Sequence, residues 1–158
     1  MLYLARRYDE ALAQSRRVLE LDSVAQGRAG RGDLVRAYLW LGRCAESLAA
    51  QEGRPGLAVA VWVGLLGYTY ARCGRRAQAL AELDRLGAEV RQGRFVSHLA
   101  LAIIHTGLGD NERALAELDS ANVERPWTMF ILRVDPAFDG LRADPRFGRL
   151  LKKVGLEP

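Results

Sequence analysis

The chain has 158 residues, of which 49% are hydrophobic and 27% are charged, so it is long enough for one domain with a buried core. This composition excludes a collagen-like or intrinsically disordered protein. The 23 basic and 19 acidic residues give a net charge of +4. Because both signs are interspersed along the chain, we expect a solvated mixed-charge surface rather than a nucleic-acid-binding face.

No targeting or membrane-spanning segment is predicted. The N-terminal residues MLYLARRYDEALA lack the apolar core and small-residue cleavage site of a signal peptide. The longest uncharged run, residues 55–71, reaches only the lower edge of membrane-spanning length and includes Gly64 and Gly67. Cys44 and Cys73 lack metal-ligand spacing and are interpreted as small buried thiols of a reducing compartment. These features predict a cytoplasmic protein without a metal or cofactor.

The first predicted unit, residues 1–22, contains one amphipathic helix. In the repeat frame set by later residues, Met1 falls inside a preceding helix, so this unit is truncated. The apolar stripe that the missing helix would cover is then expected to be exposed and to need a partner. We predict a homodimer or a docking contact through this stripe, which consists of Leu12, Val18, Leu19 and Leu21.

Residues 23–33, SVAQGRAGRGD, are predicted to be a flexible loop. The segment contains three glycines and ends at Asp33, which is suited to cap the following helix. The run GRAGRG could suggest a phosphate-binding turn, but no strand precedes it and no GK[ST] follows. A glycine-rich connection is therefore the favoured interpretation.

Residues 34–56 form an irregular unit. Tyr38, Leu41 and Gly42 mark a first helix, but the next Leu-Gly pair, Leu66-Gly67, follows after 25 residues instead of 34. The second helix of this unit must therefore be short or missing.

The next two units, residues 57–93 and 94–126, share the sequence ALAELD at residues 79–84 and 114–119. Each unit begins with an apolar helical stretch, which a glycine, Gly74 or Gly109, interrupts. A second helix, which is amphipathic, follows the glycine. The pattern predicts helix, tight turn, helix. Small residues are expected where the two helices of a unit cross: Gly67, Ala79, Ala102 and Ala114.

Residues 127–158 are predicted to form a helical C-terminal cap. Asp135-Pro136 and Asp144-Pro145 each place a capping carboxylate before a proline suited to the first helical position. Two short helices follow, and the second ends at Val154-Gly155 with basic residues near its negative end. Their apolar residues are expected to pack on the last repeat: Phe138, Leu141, Phe147, Leu150 and Leu151.

The spacing and motifs resemble the tetratricopeptide repeat (TPR), whose 34-residue pattern runs W-x2-L-G-x2-Y, then A-x3-F, then P. Val63, Leu66, Gly67, Tyr70, Ala79 and Leu83 match it, as do His98, Leu101, Ala102, His105, Ala114, Leu118 and Pro126. Residues 94–156, with GLGD, VDP and ADPRF, are similar to the C-terminal end of TPR regions in bacterial regulatory proteins that carry winged-helix, kinase or cyclase-type domains. The resemblance implies an all-α, right-handed α-solenoid acting as a noncatalytic protein-interaction module, possessing no catalytic residues.

The resemblance also implies a concave groove formed by the first helices of the units. The groove is expected to be apolar toward the C-terminus and basic toward the N-terminus, which suits a peptide with an acidic end. An alternative is a nucleic-acid-associated regulator that uses the arginine-rich N-terminal half. The predicted groove residues are Arg36, Leu39, Arg43, Glu46, Tyr68, Ala71, Arg72, Val96, Leu99, Ile103 and Thr106.

Candidate chemistry is explained better by packing and capping. His98 and His105 lie seven residues apart and could form a metal pair, but they occupy the aromatic packing positions of the repeat. The sequence contains no G-x-S-x-G motif that would position a nucleophilic serine. Asp135, Asp139 and Asp144 are spaced as caps and turn formers rather than as paired catalytic carboxylates. No enzymatic activity is predicted.

Overall fold

The computed structural model describes residues 2–21, 28–51, 60–124 and 126–156, which form helices and turns without any strand. The predicted all-α class is therefore confirmed. Within these residues no helix has the length and apolarity needed to cross a bilayer. Neither cysteine is a free thiol, so their interpretation as buried thiols is wrong. The chain divides into two compact units, Met1–Gly56 (unit 1) and Leu57–Pro158 (unit 2).

The described residues of unit 1 form three helices: α1 (Tyr8–Leu21), α2 (Arg28–Trp40) and α3 (Cys44–Ala49). α2 packs against both α1 and α3. The six residues of α3 agree with the short second helix predicted from the repeat spacing. The buried core of unit 1 contains Tyr3, Ala11, Leu12, Leu34, Ala37 and Tyr38.

The predicted exposed stripe on α1 is wrong at Leu12, which is only 6% exposed. Residues 2–6 form turns, and Tyr3 belongs to the same buried cluster as Leu12. Leu19 is partly buried against this cluster, whereas Val18 is 40% exposed. The predicted stripe is therefore buried in the core of unit 1 at Leu12 and exposed at Val18.

The start of α2 differs from the prediction of a loop that ends at Asp33. α2 begins at Arg28, so Asp33 lies inside the helix, and residues 23–27 are outside the described residues. Glycines cost about 1 kcal/mol each in a helix, but Val35 and Ala37 are fully buried in unit 1. The burial of this helical face outweighs the local preference.

Unit 2 contains α4 (Ala60–Arg72), α5 (Arg76–Arg91), α6 (His98–Leu108), α7 (Asn111–Glu124), two 3-10 helices, η1 (Pro126–Arg133) and η2 (Pro136–Leu141), and α8 (Pro145–Lys153). The two helix-turn-helix pairs expected from the ALAELD copies are α4–α5 and α6–α7. α6 also packs against α4, α5 and η2, while α7 packs against η1 and α8. The alanines expected at helix crossings, Ala79, Ala102 and Ala114, are completely buried.

Small residues allow α4 and α6 to approach closely. A Cβ on Gly64 would lie 2.9 Å from the Cα and carbonyl oxygen of Ala100, and one on Gly67 would lie 2.7 Å from Cδ1 of Ile104. A Cβ on Gly107 would come within 2.8 Å of the Tyr68 ring. Gly67 therefore lies where the first helices of successive units meet. The prediction that it lies between the two helices of one unit is wrong.

Among the described residues, five glycines with positive φ end helices in the same way. Each has a φ of 73–75°. The N–H of the glycine bonds to the carbonyl three residues earlier, and the following N–H bonds to the carbonyl five residues before itself at 2.8–3.0 Å. This is the Schellman motif, which favours glycine because the left-handed backbone is strained for other residues. The glycines are Gly42, Gly74, Gly93, Gly109 and Gly155.

Arg6 occupies the same position in a sixth copy of this motif. Its φ is 60°, and no other non-glycine residue among the described residues has a positive φ. The Arg6 N–H donates to the Tyr3 carbonyl at 2.9 Å, and the Arg7 N–H donates to the Leu2 carbonyl at 3.0 Å. Residues 2–7 thus have the geometry of a capped helix end leading into α1.

The C-terminal cap agrees with its sequence signals. Asp135 accepts a bond from the Ala137 N–H at 2.9 Å, and Asp144 accepts one from the Arg146 N–H at 2.8 Å. A proline follows each capping aspartate, as predicted. Phe138 and Phe147 are buried with ring centroids 6.4 Å apart. The first of the two short helices is a 3-10 helix, η2.

Candidate functional site

The predicted groove residues fall on both units. Four of them lie on α2, at its end, or on α3, and the others lie on or near α4 and α6. Four of the apolar or aromatic members are core residues in the structure, with exposures of 3–8%. These buried residues, which contribute almost no surface for a partner, are Leu39, Tyr68, Leu99 and Ile103.

Burial of the groove residues in unit 2 follows from the tight α4–α6 packing. Tyr68 lies against Gly107, where the absence of a side chain makes room for its ring. Thr106 is half-buried, and its hydroxyl donates to the Ile103 carbonyl at 2.7 Å. Arg72 is exposed and Val96 is half-buried. The remaining polar surface of the predicted set therefore lies mainly on the arginines and Glu46.

Unit 1 brings two arginines onto one tyrosine. Tyr38, near the end of α2, is 9% exposed. The guanidinium carbon of Arg43 lies 4.8 Å from its ring centroid, and that of Arg16 lies at 5.7 Å. Arg16 also donates from Nη2 to the Tyr38 hydroxyl at 2.9 Å. We call Arg16, Tyr38, Arg43 and Glu46 the arginine–tyrosine cluster.

One carboxylate neutralises this cluster in part. Arg43 donates from Nε to Oε1 of Glu46 at 2.8 Å, and its Nη2 lies 2.7 Å from the same oxygen. The hydrogen bond from Arg43 is the main cause that lowers the pKa of Glu46, and the positive charges of Arg43 and Arg16 add to it. The cluster contains two guanidinium groups and one carboxylate, so one positive charge is in excess.

The helix-ending turn at Gly42 positions Arg43. In this Schellman motif the Arg43 N–H donates to the Tyr38 carbonyl at 2.8 Å. Arg43 is then the N-cap of α3, and its side chain turns back over the ring of the residue that accepts its amide. The turn itself therefore brings the Arg43 guanidinium next to the Tyr38 ring.

Arg16 was missed in the sequence analysis. It lies on α1, 22 residues before Tyr38, and the sequence contains no local signal for that pairing. The packing of α1 on α2 brings the two together. Arg36 lies elsewhere on unit 1, with its guanidinium carbon 5.4 Å from the centroid of the Tyr3 ring.

The two histidines have different environments. His105 is 7% exposed, in agreement with the predicted packing role, and burial lowers its pKa. His98 instead has Nδ1 2.5 Å from a carboxylate oxygen of Glu117 and Nε2 3.4 Å from Glu124. The described residues contain no group of three or more potential metal ligands.

Comparison with known proteins gives no match to this chain among family models, curated proteins or solved structures. The functional assignment therefore depends on the geometry of the chain and on the repeat pattern.

Proposed function

We propose that this chain is a cytoplasmic, noncatalytic protein-interaction module, a right-handed solenoid of TPR-like units with regulatory function in bacteria. The module binds an acidic segment of a partner protein at the arginine–tyrosine cluster of unit 1. The observation that carries this proposal is that Arg16 and Arg43 lie over one aromatic ring, that of Tyr38, while only Arg43 pairs with a carboxylate, that of Glu46.

Recurrent turns support the repeat interpretation. The carbonyls of Leu2, Tyr38, Tyr70 and His105 accept the same Schellman bond, and these residues lie 36, 32 and 35 positions apart. A helix begins two residues after the left-handed residue in each case, at Tyr8, Cys44, Arg76 and Asn111. These spacings are near the 34-residue period of TPR units.

The contact between α7 and α8 extends the same period. Glu112 pairs with Arg146, and Asp119 pairs with Lys153. In both pairs the partners are 34 residues apart. This spacing is the one expected if the C-terminal cap follows the register of a further, shortened unit, and it supports the interpretation of these residues as the cover of a solenoid end.

The chemistry of the cluster favours a carboxylate ligand. Guanidinium groups bind carboxylates through paired hydrogen bonds, and stacking on an aromatic ring holds them in place before binding. The Arg43 side chain remains 41% exposed, so its outer edge is accessible. An acidic side chain from a partner would supply the negative charge that Glu46 alone does not.

Fluorescence anisotropy with a labelled octaglutamate peptide tests the proposal, with octaglutamine as the uncharged control. We expect Arg16→Gln/Arg43→Gln to weaken octaglutamate binding at least tenfold, because each paired carboxylate contact contributes about 1.5–3 kcal/mol. Arg17→Gln is a control for the loss of one positive charge on α1, since Arg17 is an exposed neighbour of Arg16. Equal binding by the double variant and the wild type, with both folded by circular dichroism, would overturn the proposal.

Duplex DNA separates this proposal from nucleic-acid binding. A short labelled duplex is titrated at two salt concentrations with the same variants. We expect binding weaker than that of octaglutamate at each salt concentration. Tighter DNA binding that falls steeply with salt and requires Arg16 and Arg43 would assign the cluster to nucleic-acid phosphates instead.

A further inference from the structure

A second charged surface lies in unit 2, in an open cleft between α7 and α8. The cleft has a volume of about 420 Å³. One end is bridged by Arg146, which donates to both carboxylate oxygens of Glu112 at 2.6 and 2.7 Å. The other end is bridged by Lys153, which donates to Asp119 at 3.2 Å. Each bridge connects the two helices.

The space between the bridges has an apolar floor and one cation. Leu115 and Ala116 of α7 and Leu150 of α8 line the floor, and Arg149 is exposed at the same cleft. Within the described residues Arg149 makes no ion pair, although its charge acts on Asp144 from a distance. Arg146 also bonds Asp144, which does not line the cleft. Counted over the lining residues alone, three cations face two carboxylates, so the lining carries one excess positive charge.

We propose that this cleft binds a single aspartate or glutamate side chain that projects from a partner protein. The carboxylate pairs with Arg149, and the methylene groups of the ligand contact Leu115 and Leu150. This inference uses unit 2 alone and does not depend on the arginine–tyrosine cluster.

The size and charge of the cleft select this ligand. The bridges are two helical turns apart, about 10 Å at 1.5 Å per residue, so the space between them accepts one side chain, whereas a helix is about 10–12 Å wide. A dianion such as phosphate would bring one more negative charge than the lining can balance. A monoanionic carboxylate matches the single excess charge.

Nuclear magnetic resonance detects such a small ligand. The ¹⁵N-labelled full chain is titrated with millimolar acetyl-Gly-Glu-Gly-amide, with the corresponding glutamine peptide as the uncharged control. We expect saturable shifts of the Leu115, Ala116 and Leu150 amides and of Nε–Hε of Arg149 with the glutamate peptide only. Equal shifts with the glutamine peptide would overturn the proposal.

Two variants with the same loss of charge locate the site. Arg149→Gln is expected to lower the affinity at least tenfold, whereas Lys152→Gln is expected to change it less than twofold, because Lys152 is exposed on α8 but does not line the cleft. Equal losses would indicate nonspecific attraction to a basic helix and contradict the proposal, as would unchanged binding by Arg149→Gln. Tighter binding of a phosphoserine peptide would contradict the monoanion assignment.

The Arg16→Gln/Arg43→Gln variant keeps the two proposals distinguishable. Its cleft shifts should equal those of the wild type, while its octaglutamate binding is at least tenfold weaker. If the cleft shifts disappear in this variant, the peptide binds at unit 1 and the cleft proposal is wrong.

Discussion

The amide of Arg43 donates to the carbonyl of Tyr38 at 2.8 Å, and the guanidinium carbon of Arg43 lies 4.8 Å from the centroid of the Tyr38 ring. One residue therefore closes the turn with its backbone and covers the aromatic ring with its side chain. Gly42 precedes Arg43 and has a φ of 73°. A substitution at Gly42 is therefore expected to affect both the stability of the turn and the geometry of the proposed binding surface.

Gly42→Ala is expected to lower the free energy of unfolding by about 1 kcal/mol, because alanine is strained in the left-handed region. Space is not the cause, since no heavy atom lies within 4 Å of the added Cβ. Chemical denaturation measures the loss, and octaglutamate anisotropy should show weaker binding. Unchanged binding despite the stability loss would separate the turn from the binding geometry.

Arg6→Gly is expected to raise the free energy of unfolding by about 1 kcal/mol relative to Arg6→Ala, because glycine relieves the strain of the positive φ. Both substitutions remove the arginine side chain, so their difference isolates the backbone contribution. Thermal unfolding of the two variants measures it. Identical melting temperatures would contradict the left-handed conformation at this residue.

Gly64→Ala is expected to destabilise unit 2 by about 1–3 kcal/mol, because the new Cβ would lie 2.9 Å from the Ala100 backbone. The matched control is Gly148→Ala in α8, where nothing lies within 4 Å of the added atom. That variant is expected to gain about 0.5–1 kcal/mol from helix propensity. Urea unfolding of both variants checks the opposite signs.

Stability is expected to fall as the pH is lowered from 7.5 to 5.5 because of His105. Burial lowers the pKa of this imidazole, while the charges of Asp110 and Glu117 partly oppose the shift and Arg113 adds to it. The unfolded chain therefore takes up a proton near pH 6.5 before the native state does. The loss begins around that pH and continues until the lower native pKa is reached.

Urea unfolding at several pH values checks the His105 prediction, with His105→Gln as the comparison. The variant should lose less stability than the wild type over this range, because its side chain does not titrate. Equal pH dependence in the two proteins would assign the effect to other groups.

Local signals predicted the helix pairs and caps of unit 2. Gly74 and Gly109 each precede a helix by two residues, and Asp144 caps α8 before Pro145, so short stretches of sequence determine these features. The start of α2 could not be predicted in this way, since its glycines favour a loop and only burial of residues such as Val35 compensates for them.

The candidate site was predicted only in part for a similar reason. The turn joins Arg43, Glu46 and Tyr38 within a few residues, and the first two were among the predicted groove residues. Arg16 reaches Tyr38 through the packing of two helices, which residue spacing does not reveal. The repeat frame also assigned Leu99 and Ile103 to a surface, although both are buried.

The glycines of this chain meet two different requirements. Gly64 and Gly107 are needed because neighbouring atoms leave no volume for a methyl group. At Gly74 and Gly109 the L-Cβ position is open, and the requirement is one of handedness. A D-amino acid, whose preferred φ has the opposite sign, could therefore replace glycine at a helix-ending turn. A D-amino acid would not replace glycine where α4 meets α6, because the requirement there is for space.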